Sequence, residues 1–313
     1  MSYHILHITQ KCSILVDKGL LICKMQNGIL NKIAIADIRA IIIVTQGVCF
    51  SNECIARLLE QNAIIMHCNN QYKPVGWSIP FDRIIRAEAF QNQIKQNEIF
   101  NNKLWKRIVK QKALNQAFML DFAKVEHNLY KLIERPLMSE ANIARHYWQK
   151  YFTSLGANVI REKQGAENFE NGALNYGYAV MNSLILRSII IHGLIPSIGL
   201  HHKERYRSTP LVYDLMEPLR GFVDYILYQF FIKDFENFQE QNFDIWVRFL
   251  GESLKNFRIN YEEKSYKLMD AVDFYVNSIT QSYIKEDENK AWIPSLEKIF
   301  FYKSKEFNRE YEE

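Results

Sequence analysis

Glycine and proline are scarce, 12 and 7 in 313 residues. That excludes collagen-like repeats and the low-complexity linkers that depend on the two. The five cysteines (Cys12, Cys23, Cys49, Cys54, Cys68) all lie in the first quarter, are odd in number and form no C-x-x-C pair. A disulfide framework and a cysteine zinc centre are therefore disfavoured, and the thiols are expected as small buried residues of a reducing cytoplasm. No apolar run suits a membrane span: Ala40 to Val44 is short, and Leu184 to Ile195 carries Arg187 and His192. The first residues, Met1-Ser2-Tyr3-His4-Ile5-Leu6-His7, hold neither a basic stretch nor an apolar core, so no signal peptide is expected. Also missing are a Gly-rich phosphate loop, a G-x-S-x-G elbow and an H-E-x-x-H pair. The net charge of +4, from 39 basic and 35 acidic residues, is too small to identify a partner. Its distribution must decide.

What is present is an ordinary globular balance, 48% hydrophobic and 24% charged, in a chain long enough for about two domains. The first eighty residues read as short strands: Tyr3 to Thr9, Cys12 to Val16, Leu20 to Met25, Ile29 to Ile35, Ala40 to Thr45, Ala63 to His67 and Val75 to Ile79. Asp17-Lys18-Gly19 and Gln26-Asn27-Gly28 are hairpin turns by composition. Ser51 caps one interrupting helix, with Glu53 in its first turn and Ile55, Leu58 and Leu59 on one face. From Phe81 onward apolar residues recur at helical spacing, as in Ile143, Tyr147 and Tyr151. The expectation is an α+β chain, a β-rich domain over 1–82 and a larger all-helical domain over 83–313, with the boundary between Pro80 and Asn97.

Three stretches concentrate chemistry. Between Arg83 and Lys112 stand Arg83, Arg86, Lys95, Lys103, Lys106, Arg107, Lys110 and Lys112 against Glu88 and Glu98. Lys103, Lys106, Arg107 and Lys110 fall at i, i+3, i+4, i+7 and form one helical stripe, able to track phosphates or to serve as a solvated face. Lys203, Arg205 and Arg207 add a second basic cluster. Next, Gly193-Leu194-Ile195-Pro196-Ser197-Ile198-Gly199-Leu200-His201-His202 precedes Asp214-Leu215-Met216-Glu217-Pro218-Leu219-Arg220. A helix sets Asp214 and Glu217 on one face until Pro218 breaks it. Two carboxylates with an imidazole suit magnesium or manganese; solvated carboxylates and a loop histidine are the plainer reading. Last, Ser139 caps a helix that begins with Glu140, a residue that by itself merely complements the helix dipole.

Taken in order, these stretches resemble the CRISPR adaptation integrases, the first-numbered of the CRISPR-associated proteins. The resemblance rests on Glu140 with Ala141, Ala144-Arg145 and Tyr147-Trp148, on Asn175-Tyr176-Gly177-Tyr178-Ala179, and on the histidine and Asp214-to-Arg220 elements. Trp105-Lys106-x-Ile108-Val109-Lys110 resembles the version beside the type II effector nuclease. The resemblance implies that Glu140, a histidine and Glu217 hold Mg2+ or Mn2+ and are catalytic. The spacing to the Asp214-to-Glu217 element favours His202; His201 is a possible addition, since the histidines are paired and the Gly-Arg found in many members is lacking, and Asp214 matches the additional acidic position. It also implies that Lys103, Lys106, Arg107, Lys110, Lys203, Arg205 and Arg207 bind double-stranded DNA, the prespacer and the CRISPR leader–repeat. The expected partners are a second copy, joined through the β-rich domain, a bridging dimer of the second CRISPR-associated protein, and the type II effector nuclease. The 3′-hydroxyl of the prespacer would attack the leader–repeat junction, with no nucleotide cofactor. A metal-dependent nuclease of branched or damaged DNA and a catalytically silent DNA-binding scaffold remain the alternatives.

Overall fold

The computed structural model describes residues 4–25, 28–69, 74–80, 87–95, 97–135, 139–163, 165, 167–202, 209–233 and 243–301. The N-terminal part runs β1 (His4–Ile8), β2 (Ser13–Asp17), β3 (Leu20–Met25), β4 (Gly28–Ala34), β5 (Ile38–Ile43), β6 (Cys49–Phe50), α1 (Asn52–Glu60), β7 (Ile64–Cys68) and β8 (Pro74–Ser78). The rest comprises α2 (Ala87–Lys95), α3 (Glu98–Phe122), α4 (Leu129–Ile133), α5 (Glu140–Ser154), α6 (Phe169–Ile191), α7 (Pro210–Met216), α8 (Arg220–Lys233), α9 (Phe243–Asn256), β9 (Phe257–Tyr261), β10 (Lys264–Lys267), α10 (Leu268–Lys285) and β11 (Ile299–Phe301).

Two sheets form from the N-terminal strands. β2, β3 and β4 make an antiparallel meander with β6 beside β2. The β2–β3 turn places Lys18 (φ 47°) and Gly19 (φ 79°) in the left-handed region, as a tight hairpin twisted with its strands requires. The other sheet is ordered β1-β5-β7-β8, its first three strands parallel. Its central strand, Ile38-Arg39-Ala40-Ile41-Ile42-Ile43, is buried on both faces, which accounts for its continuous apolar run. Ile41, Ile43 and Ile65 face Ile14, Leu21, Cys54 and Leu58. Ile5, Ala40, Ile42, Ile64 and Met66 face the helices and share their core.

The C-terminal part is mostly helical, not all-helical. β10, β9 and β11 form a three-stranded antiparallel sheet. The residues Phe257-Arg258-Ile259-Asn260-Tyr261 alternate buried and less buried, a period-2 pattern hidden between strongly helical neighbours. The expected boundary, after residue 82, lies outside the described residues. Cys12, Cys23 and Cys54 are buried, as expected; Cys68 is only half-buried, and Cys49 lies exposed because β6 is a two-residue edge strand.

An ion-pair cluster ties sheet to helices. Arg39 of β5 meets Asp270 at 2.6 Å and Asp273 at 3.3 Å, both from α10. Arg187 of α6 also meets Asp273 at 3.3 Å and donates to the Asn62 carbonyl at 2.8 Å. Asp273→Ala is expected to lower the unfolding free energy by about 2 kcal/mol in urea titrations, since it removes an ion pair from each of two largely buried arginines. An unchanged midpoint would contradict this role.

Candidate functional site

Three helical segments bring the chemistry together. Ser139 accepts a hydrogen bond from Asn142 N–H and caps α5, so Glu140 occupies the first helical position. α7 ends at Met216, Glu217-Pro218-Leu219 form a single 3-10 turn, and α8 resumes at Arg220. Pro218 breaks the helix as its chemistry requires. That turn is clamped from α3: Asn115 donates to the carbonyls of Pro218 (2.7 Å) and Pro294 (3.0 Å), and its own oxygen accepts from Leu296 N–H (2.9 Å).

One helical turn before Asn115, Lys112 joins the two glutamates. Its ammonium lies 2.5 Å from Glu140 Oε1 and 2.5 Å from Glu217 Oε2. Arg220 closes on the other Glu217 oxygen at 3.0 Å, an i,i+3 pair. Burial works to raise the Glu217 carboxyl, but Arg220 and Lys112 beside it prevail and bring it down to about 2. Glu217 is thus anionic across the working range of pH. The two sites differ in access, Glu140 being half-exposed and Glu217 buried.

The paired histidines part company in the fold. His202 lines the same cavity as Glu140, Glu217 and Lys112, a cleft of about 1530 Å³. His201 instead stacks flat on Trp105, with ring centroids 4.5 Å apart. Asp214 is fully buried and organises this loop: it accepts from the N–H groups of Leu200 (2.6 Å) and His201 (3.1 Å), and from His202 Nδ1 (2.5 Å). A carboxylate taking this many hydrogen bonds is an acceptor, so His202 Nδ1 carries a proton and aims it at Asp214, which turns Nε2 away from that carboxylate. Gly199 permits the turn. A Cβ there would lie 2.6 Å from the His202 carbonyl oxygen and 2.8 Å from Asp214 Oδ2. Gly199→Ala is expected to displace His202 and reduce activity roughly tenfold or more without unfolding the chain, measured as initial rates beside a thermal melt.

Among the described residues no group of three His, Cys, Asp or Glu side chains stands close enough to hold a metal ion as they lie. The donor chemistry nonetheless fits a divalent cation. Two carboxylates from different segments already converge on one cation, the Lys112 ammonium, and a carboxylate-oriented imidazole opens on the same cleft.

The family model described as CRISPR associated protein Cas1 matches residues 6–247. The chain belongs to the Cas1 family. The CRISPR-associated endonuclease Cas1 of Neisseria meningitidis serogroup C (strain 8013) is 31% identical over 210 residues, 64% of this chain and 66% of that protein. The chain's matches span just under two thirds of the curated relatives it matches first, 62–66% of their length. Among solved structures, a casposase bound to integration product has a TM-score of 0.79 at 17% identity, covering 92% of each chain. A Cas6-RT-Cas1–Cas2 complex has a TM-score of 0.74 at 16% identity, covering 94% of this chain and 36% of that one. At such identities these likenesses show a shared Cas1-type fold.

Within this Cas1-family chain, the other expected site residues are placed unevenly. Lys106 and Lys110 are exposed on α3, and Lys103 is exposed but 3.6 Å from Glu288. Arg107 turns inward and donates to the carbonyls of Glu288 and Ala291. At about 100° per residue this stripe lies more than a quarter-turn around the helix from Trp105, Lys112 and Gln116. Arg83, Arg86, Lys203, Arg205 and Arg207 lie outside the described residues.

A buried support behind the cleft has no local signature in the sequence. Gly177 lets α6 approach α8 closely, since a Cβ there would lie 2.5 Å from Val223 Cγ1. Tyr178 then donates to Asp224 Oδ1, Tyr147 to Asp224 Oδ2 (2.6 Å) and Tyr151 to the Asp224 carbonyl (2.8 Å). Burial raises the Asp224 carboxyl to about 6 despite these hydrogen bonds. Arg220 lies over the Tyr178 ring, 5.0 Å from its centroid, and thereby ties this network to Glu217. Lys112 itself was visible only as one member of a basic run. Its signal was position: it sits on the helix face opposite the exposed stripe, where a solvated lysine has no reason to be.

Proposed function

We propose that this chain is a metal-dependent DNA integrase of CRISPR adaptation, joining the 3′-hydroxyl of a short prespacer duplex to the leader–repeat junction. The observation that carries it is the convergence of Glu140 and Glu217 on a single cation, in a cleft that His202 also lines, within a Cas1-family chain. Glu140, Glu217 and His202 Nε2 are the ligand set. A bound Mg2+ or Mn2+ supplies Lewis-acid polarisation of the phosphoryl oxygen and stabilises the leaving oxygen. Asp214 holds the His202 tautomer and orientation, and Arg220 keeps Glu217 ionised and aimed. Lys106 and Lys110 carry duplex backbone through non-specific phosphate contacts. One phosphodiester is exchanged for another, so the reaction needs no nucleotide.

The assembly follows the same reading. Residues 1–82 are the dimerisation part, and the outer faces of its strands carry exposed Leu15, Leu20 and Val75. A dimer of the second CRISPR-associated protein bridges two such dimers; the Cas6-RT-Cas1–Cas2 assembly is a structural neighbour. The Trp105-to-Lys110 segment supports a type II system with its effector nuclease as a further partner. The cytoplasm is the proposed location, and no helix among the described residues is long and apolar enough to cross a membrane.

The test is a donor with matched ends. A prespacer ending in a 3′-deoxy nucleotide is expected to bind normally and fail to join a supercoiled plasmid bearing the repeat. The 3′-hydroxyl donor joins it with magnesium or manganese, without ATP, and stops on chelation. Plasmid nicking independent of the donor end would replace the integrase with a water-using nuclease. Binding with neither nicking nor joining would leave a scaffold.

A further inference from the structure

Lys112 stands between the two carboxylates that the proposed function assigns to a divalent cation. Its ammonium is equidistant from them, 2.5 Å from Glu140 Oε1 and 2.5 Å from Glu217 Oε2, and its side chain is only 11% exposed. This is not an ordinary neutralising pair. Glu217 already has Arg220 at 3.0 Å, and Glu140, on a separate helix, is half-exposed to water. What Lys112 alone does is tie the two carboxylates to each other across α3, α5 and the Pro218 turn. Counted together, Lys112 and Arg220 balance Glu140 and Glu217, so a divalent ion entering the same place meets a like charge at contact distance. The ammonium rides on a flexible four-carbon stem, whereas Arg220 is a planar fork locked against Glu217 and the Tyr178 ring. Of the two cations, Lys112 is the one able to leave. It lines the large cleft, so its head can move into that space without crossing packed core.

We infer that Lys112 is a displaceable resident cation: it holds Glu140 and Glu217 together before a divalent ion binds, competes with that ion, and then carries its charge into the cleft to meet a DNA phosphate. This rests on the metal-dependent reading of the site. It adds a positioning residue that both tunes metal affinity and couples metal loading to DNA engagement. The lysine is protected in the metal-free protein, released by the ion, and protected again by the nucleic acid.

Reductive methylation of the full chain, read lysine by lysine by mass spectrometry, tests the movement directly. Lys112 is expected to react slowly without metal, several-fold faster with Mg2+, and slowly again with Mg2+ and a short DNA duplex. Lys106 and Lys110, exposed on the other face of α3, should not respond to Mg2+ alone. In parallel, Lys112→Met is expected to bind Mn2+ roughly tenfold more tightly by electron paramagnetic resonance of the free ion, as removal of a competitor requires. Its melting temperature should fall without metal and recover with Mn2+. Measurable Mn2+ binding by the wild-type protein with no rise in Lys112 labelling would overturn the inference and leave the integrase reading standing. So would a Lys112→Met protein that binds Mn2+ no more tightly. Wild-type protein that binds no Mn2+ would remove the metal-dependent function itself, and this inference with it. The labelling experiment uses unaltered protein, so poor folding of the variant cannot rescue the idea.

Discussion

Glu140→Gln protein is expected to bind prespacer DNA and to lose strand transfer by about a thousandfold. The loss corresponds to about 4 kcal/mol of transition-state stabilisation. Glu140 is the cleaner of the two carboxylates to test. It is half-exposed at a helix start, and glutamine keeps its shape there. Glu217 is 6% exposed and gripped by Lys112 and Arg220, so truncation to alanine would leave two cations facing a hole. Glu217→Gln should match Glu140→Gln in rate and lose more in thermal stability. Retained strand transfer in soluble Glu140→Gln protein, measured on gels with a 3′-hydroxyl donor, would remove Glu140 from the metal set.

The second large effect separates the two adjacent histidines. His202→Ala is expected to abolish joining on the same scale, while His201→Ala costs only a few-fold through its stack on Trp105. Asp214→Asn should fall between, about 10- to 100-fold, because an amide cannot hold the His202 Nδ1 proton while accepting from the Leu200 and His201 N–H groups. The readout that marks Asp214 as a positioning residue is Mn2+ affinity, which should weaken along with the rate. The reverse ranking of the histidines would move the ligand by one position.

Much of the fold was legible because period-2 and 3.6-residue patterns report which side chains are buried. Seven N-terminal strands, the Ser51 and Ser139 caps and the break at Pro218 all follow from local chemistry that acts within a few residues. β6 leaves no signal in the sequence because two residues carry no period. The small β9–β10–β11 sheet is hidden in the sequence because its strands are flanked by α9 and α10, whose stronger helical signal covers a five-residue alternation.

The sequence by itself determined the order of the three motifs and the residue types they offer: two glutamates, a histidine pair, and an aspartate three positions before one of the glutamates. Spacing pointed to His202, but only the tertiary structure shows what turns it, and not His201, to the cleft. That choice depends on a buried Asp214 pulling the loop's N–H groups toward itself, a contact among 200, 201, 202 and 214 that no spacing rule contains. It likewise decided that Lys112 lies between Glu140 and Glu217, whereas Arg107, five residues earlier, closes on backbone carbonyls. Both are basic residues of one helix. Their roles differ because a helix rotates successive side chains around its axis, and only the packing of its neighbours says what each side chain will meet.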